Sequence, residues 1–188
     1  MSAVPSHWQL HSAARCIKRG GIIAYPTEAV FGLGCDPANQ LAVAKLLALK
    51  NRPWQKGLIL VAASLQQLEP WLQTLSDNSL QQLDKSWPGP TTWLLPASSS
   101  CPNWLTGTHD TLAVRISAHP LVRRLCDILS GPVVSTSANS SGQRPARSVL
   151  EIRLRFGTRI DFVLPGMLGS QEKPTQIRDL ASGKLIRS

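Results

Sequence analysis

Polar residues capable of chemistry follow predicted buried strands in this chain. One loop runs from Tyr25–Glu28 to Gly32–Asp36 and combines a hydroxyl, a carboxylate and glycines. Another, Lys50–Pro53 with Lys56 behind it, places three cations within seven residues. Open α/β sheets bind ligands at strand ends, so both loops are candidate site segments. Each also has a plain structural interpretation: a glycine-rich turn between strands for the first, and charges that cap a helix C-terminus for the second.

A hydroxyl-rich loop and an arginine within an apolar strand complete the set of polar segments. Residues 135–142 place hydroxyls and an amide directly after the apolar strand 132–134. Such a bend suits phosphate or ribose oxygens, and it is equally typical of a serine-rich turn with local hydrogen bonds. Arg115 lies in the apolar run 112–116, where a buried guanidinium needs a carboxylate partner. That carboxylate belongs either to the protein, as a structural ion pair, or to a substrate.

The common catalytic motifs are absent from the sequence. It has no P-loop, and Gly32–Gly34 lacks the third glycine of a dinucleotide fingerprint. It has no G-x-S-x-G elbow and no C-x-x-C pair, and we see no metal pair in the histidine spacing. A standard nucleotide fold, a hydrolase triad and a zinc enzyme are therefore unsupported. The histidines are His7, His11, His109 and His119, and the cysteines are Cys16, Cys35, Cys101 and Cys126.

Helices and strands alternate in the intervening sequence. Capping boxes at Ser6/Gln9, Ser64/Gln67 and Ser148/Glu151 mark three helix starts. We expect helices over 6–19, 41–50, 64–72 and 120–129, another that ends before 87–90, and one that begins at 148. We expect strands over 22–25, 58–61, 91–95, 112–116, 132–135, 162–164, 177–180 and 185–186, the last two as a hairpin. The fold class is α/β (α+β mixed): an open, twisted mixed sheet flanked by helices, in one domain over 1–188 with no C-terminal extension domain.

Composition limits the class of protein further. The chain has 188 residues, 43% of them hydrophobic and 16% charged, which excludes a disordered or fibrous protein and fits one globular domain. Its net charge of +9 attracts anionic partners. No leader or membrane-spanning stretch is evident, and the scattered cysteines indicate reduced thiols. We therefore expect a cytoplasmic protein with no membrane partner.

Taken together, the motifs resemble the threonylcarbamoyl-AMP synthases of the bacterial TsaC/YrdC type, nearly end to end. They are Tyr25–Glu28 with Gly32–Gly34, Lys50-x-Arg52-Pro53, Trp87–Thr91, Ala113–Arg115, Ser137–Asn139 and Ile177–Asp179. The resemblance implies a YrdC-like fold and a nucleotidyltransferase. Such an enzyme joins L-threonine, bicarbonate and ATP into L-threonylcarbamoyl-adenylate and releases pyrophosphate. The product serves the t6A modification of adenosine 37 in tRNAs that read ANN codons, through a downstream threonylcarbamoyl transferase complex.

The resemblance also assigns residues. It implies catalytic roles for Lys50, Arg52, Ser137 and Asn139. The same four bind ATP together with Lys56, Thr111 and Arg187. Threonine contacts fall on Thr27, Arg115, Ser135 and Thr175. Mg²⁺ is expected on the triphosphate, with no metal ligand from the protein. Longer relatives add a C-terminal domain and tend to carry Asn and His near Lys56 and Val61, so the shell around the substrates differs there.

The main alternative is a non-catalytic protein that binds tRNA or double-stranded RNA. Eight arginines lie between Arg115 and Arg159, against only Asp127 and Glu151. Such a segment is an electrostatic footprint for nucleic acid, although solvated charged faces are common. The aromatic content of 5% and the lack of an RNP-like motif argue against it. Direct RNA contact by the enzyme stays open. A hydrolase of the same fold would need an activated nucleophile, and this sequence has no Ser or Cys with an obvious neighbouring His. Among the six tryptophans, Trp54 lies beside the cationic loop and is the one that we expect near an adenine.

Overall fold

Nine strands form one mixed sheet in the structure, a computed structural model that describes residues 5–140, 142–171 and 175–187. The order across the sheet is β7-β1-β2-β6-β3-β5-β4-β8-β9. The pairs β1/β7, β3/β5 and β4/β8 are parallel, and the remaining neighbours are antiparallel. The strands are β1 (Ile23–Pro26), β2 (Phe31–Gly34), β3 (Ile59–Ala62), β4 (Thr91–Pro96), β5 (Thr111–Ile116), β6 (Val133–Ser137), β7 (Phe162–Val163), β8 (Gln176–Asp179) and β9 (Leu185–Arg187).

Six α-helices accompany these strands in the described ranges. The predicted capping box at Ser6 is confirmed: its hydroxyl accepts the Gln9 N–H, and the Gln9 side chain accepts the Ser6 N–H. The helix that follows buries an apolar stripe that begins at Leu10 and ends at Ile17. The helices are α1 (His7–Lys18), α2 (Gln40–Lys50), α3 (Asp77–Asp84), α4 (Asn103–Thr106), α5 (Pro120–Leu129) and α6 (Val149–Phe156).

The helices cover both faces of the sheet, because successive strand residues point to opposite sides. In β3, Leu60 and Ala62 join a core with residues of α2, α3, α4 and α6. Val61 between them belongs to the opposite core, together with residues of α1 and α5. The expected architecture, a mixed sheet flanked by helices, is confirmed. Within the described ranges, no helix is both long and apolar enough to cross a lipid bilayer.

Three local expectations were wrong, each for a tertiary reason. Residues 31–34, expected as part of a loop, form β2, because Phe31 and Leu33 are buried and the segment pairs with β1 and β6. Residues 64–72 form turns and a short 3₁₀ helix rather than an α-helix. Gln67 does not cap there: its side chain accepts the Ala63 N–H and donates to the Cys126 carbonyl.

Two smaller differences concern side chains. The capping box at Ser148 forms only in part, because the Glu151 carboxylate accepts the Arg147 N–H instead of the Ser148 N–H. His7 and His11, which we had not read as a pair, lie one turn apart on α1 with their Nε2 atoms 2.9 Å apart. The described residues nevertheless contain no group of three or more His, Cys, Asp or Glu side chains that could hold a metal ion.

Candidate active site

Strand register brings predicted site residues onto one face of the sheet. Val61 lies opposite both Arg115 and Val133, and Ile59 lies opposite Ser135. Residues paired in this way point to the same side of a sheet. Arg115 and Ser135 therefore lie on the face that α1 and α5 cover, beyond the part occupied by the apolar core of Val61 and Val133.

Two adjoining cavities lie beside these residues, the larger lined by Arg115 and Ser135 and the smaller by the end of β6 and the C-terminus of α2. The larger has a volume of about 290 Å³, and the smaller about 160 Å³. They share Arg52, Thr136 and Ser137 as lining residues, so they form one continuous site. The predicted residues in the larger cavity are Thr27, Arg52, Arg115, Ser135, Ser137, Thr175 and Arg187. Those in the smaller are Lys50, Arg52, Lys56, Ser137 and Asn139.

Thr111 is the one predicted site residue that lines neither cavity. It begins β5, four residues before Arg115 and on the same face of the strand. All four predicted threonine-binding residues lie in the larger cavity. The predicted catalytic residues are split, with Lys50 and Asn139 in the smaller cavity and Arg52 and Ser137 at the junction.

Lys50 holds the hydroxyl-rich loop through its ammonium group. Its Nζ donates to the Ser137 carbonyl, to the Asn139 carbonyl at 2.6 Å and to Asn139 Oδ1 at 3.4 Å. The Ser137 hydroxyl also donates to Asn139 Oδ1, at 2.6 Å. Lys50 is 5% exposed, and burial, with a smaller contribution from the Arg52 charge, lowers its pKa to about 8. Because the three ammonium protons face loop oxygens, the lysine braces the loop.

Arg52 lies at the junction because the chain turns sharply after α2. Asn51 caps that helix in the left-handed conformation, with φ at 51°, which asparagine tolerates well. The Arg52 guanidinium donates to the Gly57 carbonyl at 2.9 Å, while its Nε is buried without a partner. Burial, and then the charge of Arg187, lower the pKa of Arg52. The Nη2 group also approaches the Lys56 carbonyl at 3.4 Å, and no described residue accepts from Nη1, so the Nη1 protons are left for a ligand.

Arg115 has a carboxylate partner within the protein. Its Nη2 lies 3.1 Å from Glu28 Oε2, and its Nη1 donates to the Thr175 hydroxyl at 2.9 Å. Both charged side chains are less than a tenth exposed. The structural ion pair left open by the sequence is thus present, and the arginine still lines the larger cavity. Its two Nη atoms carry four protons and contact only Glu28 and Thr175 among the described residues, so the fork keeps donors available.

A buried tyrosine orients Ser135 from beneath the cavity. The Tyr25 hydroxyl donates to Ser135 Oγ at 2.8 Å, and the tyrosine is fully buried. Since Ser135 Oγ accepts this proton, its own proton is available to a ligand. The ring lies across β2, where a Cβ on Gly34 would meet Tyr25 Cε1 at 2.9 Å and the Val134 carbonyl at 2.6 Å. The glycine is therefore required by close approach.

The site is strongly cationic. In the part of the chain that the structure describes, its two cavities are lined by five cationic side chains and one carboxylate, Glu28, which is already paired with Arg115. The cations are Lys50, Arg52, Lys56, Arg115 and Arg187. Burial, and then the Arg115 charge, lower the pKa of Arg187. Such a site is suited to several anionic groups at once.

Sequence reasoning gave no role to three residues that organise this site. Glu28 was noted only as a carboxylate in a loop, and Tyr25 only as the end of a strand. Ser117, whose hydroxyl donates to Glu28, was not singled out. Its signal was present, because Ser117 follows Arg115 by two positions and so points to the same side of an extended chain.

Comparisons with known proteins agree with this geometry. The Sua5/YciO/YrdC family model, described as "Telomere recombination", matches residues 15–188. The threonylcarbamoyl-AMP synthase of Halorhodospira halophila is 56% identical over 94% of this chain and 92% of its own length. The structure of P. abyssi Sua5 complexed with L-threonine is 32% identical with a TM-score of 0.87, covering 94% of this chain and 52% of that one. The chain therefore spans about half of that protein. E. coli YciO, at 23% identity and a TM-score of 0.87 over 100% of this chain and 92% of its own, shares the fold.

Proposed function

The chain belongs to the Sua5/YciO/YrdC family, and we propose that its two joined cavities are where L-threonine, bicarbonate and ATP become L-threonylcarbamoyl-adenylate. The protein is an enzyme with nucleotidyltransferase-type activity. The observation that supports the proposal best is the separation of the polar groups. The residues predicted to bind threonine line one cavity, and Lys50, Lys56 and Asn139 line the other. Arg52 and Ser137 belong to both, at the place where the two substrates must react.

The reaction needs this arrangement because it joins anions. The threonine amine reacts with bicarbonate to form a carbamate, and water is released. A carbamate oxygen then attacks the α-phosphorus of ATP, and the bond from that phosphorus to the bridging oxygen of pyrophosphate breaks. Negative charge thus accumulates on the leaving group. Arg52, at the junction, is placed to neutralise it, and a comparable electrostatic contact contributes about a hundredfold or more in rate.

Threonine recognition falls on the larger cavity. Arg115 would bind the substrate carboxylate through its remaining N–H groups, a bidentate task that suits guanidinium better than ammonium. The Ser135 hydroxyl can donate its proton to the substrate, because it accepts a hydrogen bond from Tyr25. The Thr27 hydroxyl donates to the Val30 carbonyl at 2.7 Å, so its oxygen is left to accept. The Thr175 hydroxyl accepts from Arg115 and lies 3.3 Å from the Thr92 hydroxyl, so it can donate to the substrate when Thr92 supplies the proton of that bond.

The smaller cavity suits the phosphates of ATP. Arg52 and Lys56 supply charge, Arg187 adds a third cation from the larger cavity, and Lys50 fixes the loop that presents Ser137 and Asn139. Thr111 would contact only a part of ATP that extends beyond both cavities. Trp54 is 43% exposed and lies two residues from both Arg52 and Lys56, so we expect the adenine to be near it.

Magnesium would enter this site with ATP. Among the described residues Glu28 is the only carboxylate that lines either cavity, and its oxygens are ion-paired with Arg115 and hydrogen-bonded to Ser117. Mg²⁺ prefers phosphate oxygens and water when dedicated carboxylates are lacking. The metal would therefore be held by the triphosphate, where it offsets phosphate charge.

The adenylate would pass to a threonylcarbamoyl transferase complex that modifies tRNA, and we place the protein in the cytoplasm for that reason.

The arginines that suggested RNA binding do not form one surface. Arg123 and Arg124 are on α5, whereas Arg153 and Arg155 are on α6, and these helices pack on opposite faces of the sheet. Arg155 is also engaged locally by Glu151. The structure thus favours synthesis over RNA binding as the main task.

Pyrophosphate release tests the proposal. Wild-type protein with Mg²⁺ and ATP should release pyrophosphate only when both threonine and bicarbonate are present. Arg52→Ala should slow release about a hundredfold or more, because the junction loses its cation. Arg153→Ala, an exposed arginine on α6, is the matched control and should leave the rate within twofold. Release that does not depend on threonine, or salt-sensitive tRNA binding without any release, would contradict the assignment.

A further inference from the structure

Ser117 lies behind the threonine cavity and does not line it. It follows the end of β5 and is fully buried. Its Oγ donates to Glu28 Oε1 at 2.6 Å, and Glu28 Oε2 in turn pairs with Arg115. Ser117 is therefore joined to the substrate-facing guanidinium through one carboxylate.

The donor and acceptor roles of the Ser117 hydroxyl follow from the single proton that it carries. A serine hydroxyl has one proton to donate. Ser117 Oγ accepts the His119 N–H at 3.1 Å, so the hydroxyl proton is directed at Glu28. The Ser117 backbone is held as well, because its N–H donates to the Ala62 carbonyl at 3.0 Å. The serine is thus a rigid donor with a single orientation.

Glu28 is held from the other side by the segment 165–171. The Gln171 N–H donates to the Glu28 carbonyl at 3.0 Å, and the Gly169 N–H donates to the Thr27 carbonyl, also at 3.0 Å. A Cβ on Gly169 would lie 2.7 Å from the Glu28 carbonyl oxygen, so the segment packs directly on the Glu28 backbone. The Glu28 backbone is therefore fixed, and the orientation of its carboxylate depends on the hydrogen bond from Ser117 and the ion pair with Arg115.

We propose that Ser117 is a positioning residue for threonine, acting through Glu28 to hold the Arg115 guanidinium in the orientation that receives the substrate carboxylate. The inference rests on the proposed function and adds to it a residue that never touches substrate. With Oε1 hydrogen-bonded to Ser117 and Oε2 ion-paired with Arg115, Glu28 orients the guanidinium rather than takes a proton from the substrate amine. The pair it forms with Arg115 is neutral, so Arg115 recognises threonine by the direction of its N–H groups more than by net charge.

Ser117→Ala isolates orientation from charge. It leaves Glu28 and Arg115 in place and removes only the donor that fixes the carboxylate. Without that donor we expect the free protein to hold the receptive guanidinium orientation for only about a tenth of the time, which lowers the apparent affinity by the same factor. We therefore expect threonine to bind about tenfold more weakly, while L-threoninamide, which has no carboxylate, binds within twofold of wild type.

Calorimetric titration of both ligands into folded protein measures this directly. Ser86→Ala is the matched control, because Ser86 Oγ also accepts an N–H, from Trp93 at 2.9 Å, and donates to a carbonyl, that of Leu83 at 3.1 Å. It should lose a similar amount of stability and keep threonine affinity. If Ser117→Ala fails to fold, Ser117→Cys fills the site with a slightly larger side chain and a weaker donor, and it should lose a few-fold in threonine affinity alone.

The outcomes separate the two claims. Unchanged threonine affinity in the Ser117 variants, or equal weakening of threonine and threoninamide, overturns the positioning role. Pyrophosphate release by wild type, measured alongside, shows in that case that the proposed function still stands. Absence of threonine-dependent release and of threonine binding in wild type overturns the proposed function and this inference with it.

Discussion

Lys50 should make stability and activity respond to pH in opposite directions. Its ammonium is buried, and its pKa of about 8 lies below the ordinary value of 10.5. The folded protein therefore carries a protonation penalty at neutral pH that the unfolded chain does not carry. Between pH 8 and 10.5 the unfolded chain binds the extra proton, so the free energy of unfolding rises with pH over that window.

The size of the effect follows from the two pKa values. Protonation of Lys50 costs the folded state about 3 kcal/mol at pH 7 and about 1 kcal/mol at pH 10. Lys50→Met removes this penalty, although it leaves the Ser137 and Asn139 carbonyls without their donor, at about 1–3 kcal/mol each. Relative to that variant, the wild type should gain about 2 kcal/mol in unfolding free energy from pH 7 to pH 10.

Activity should fall over the same window. Neutral Lys50 has one proton fewer, so it no longer satisfies the three loop oxygens that it contacts. The loop that presents Ser137 and Asn139 then loses its brace, and kcat/KM for ATP should decline above about pH 8. Lys50→Met should be at least a hundredfold slower than wild type at pH 7, because the brace is absent at every pH.

Urea unfolding at pH 7, 9 and 10 provides the stability measurement, and pyrophosphate release provides the rate. Comparison with Lys50→Met cancels the effect of the buried cysteines, since burial raises the pKa of Cys35 and Cys126 to about 12 in both proteins. Lys45→Met, on the exposed side of the same helix, is the control and should follow wild type. A constant difference between wild type and Lys50→Met across this pH range would refute the reasoning.

Two further substitutions test the packing around Tyr25 and the recognition of threonine in the larger cavity. Gly34→Ala should destabilise the protein by about 2 kcal/mol or more, because the new Cβ meets the Tyr25 ring and the Val134 carbonyl. Gly131→Ala, with nothing within 4 Å of its Cβ, should leave the melting temperature nearly unchanged, and equal melting temperatures for the two would contradict the packing argument. Arg115→Lys should raise the KM for threonine at least tenfold with little change in the KM for ATP, since an ammonium cannot serve Glu28, Thr175 and a carboxylate in one plane. Equal changes in both KM values would argue against a threonine-specific role.

Local signals predicted the elements whose hydrogen bonds are local. The capping box at Ser6 and the apolar stripe after it were enough for α1, and Pro120 marked the first residue of α5. By contrast, β2 is held by strands that lie before it and far after it in the chain, so its glycines looked like a loop. The segment that begins at Ser64 had a helical signal, but Gln67 found partners in neighbouring elements instead.

The sequence was sufficient to predict which residues belong to the candidate site, but not which of them contact one another. The sequence indicated that Arg115 needs a carboxylate, yet any of eleven acids qualified, and Glu28 is 87 positions away. It marked Lys50 as a phosphate-site cation, whereas the direction of its protons toward loop oxygens depends on how α2 meets β6. Pairings of this kind are set by strand order, which local patterns do not encode.

The strand order also has a consequence for how the protein is made. One wall of the site comes from Thr27, near the start of the chain, and another from Arg187, on β9. A ribosome must therefore release nearly the whole chain before the cavity can close, and contacts of such long sequence separation form slowly. Until β8 pairs with it, β4 presents Thr91–Pro96 as an open sheet edge, and unpaired edges recruit other chains. Incomplete or clipped chains that lack the last hairpin should thus aggregate through this edge instead of persisting as partly folded monomers.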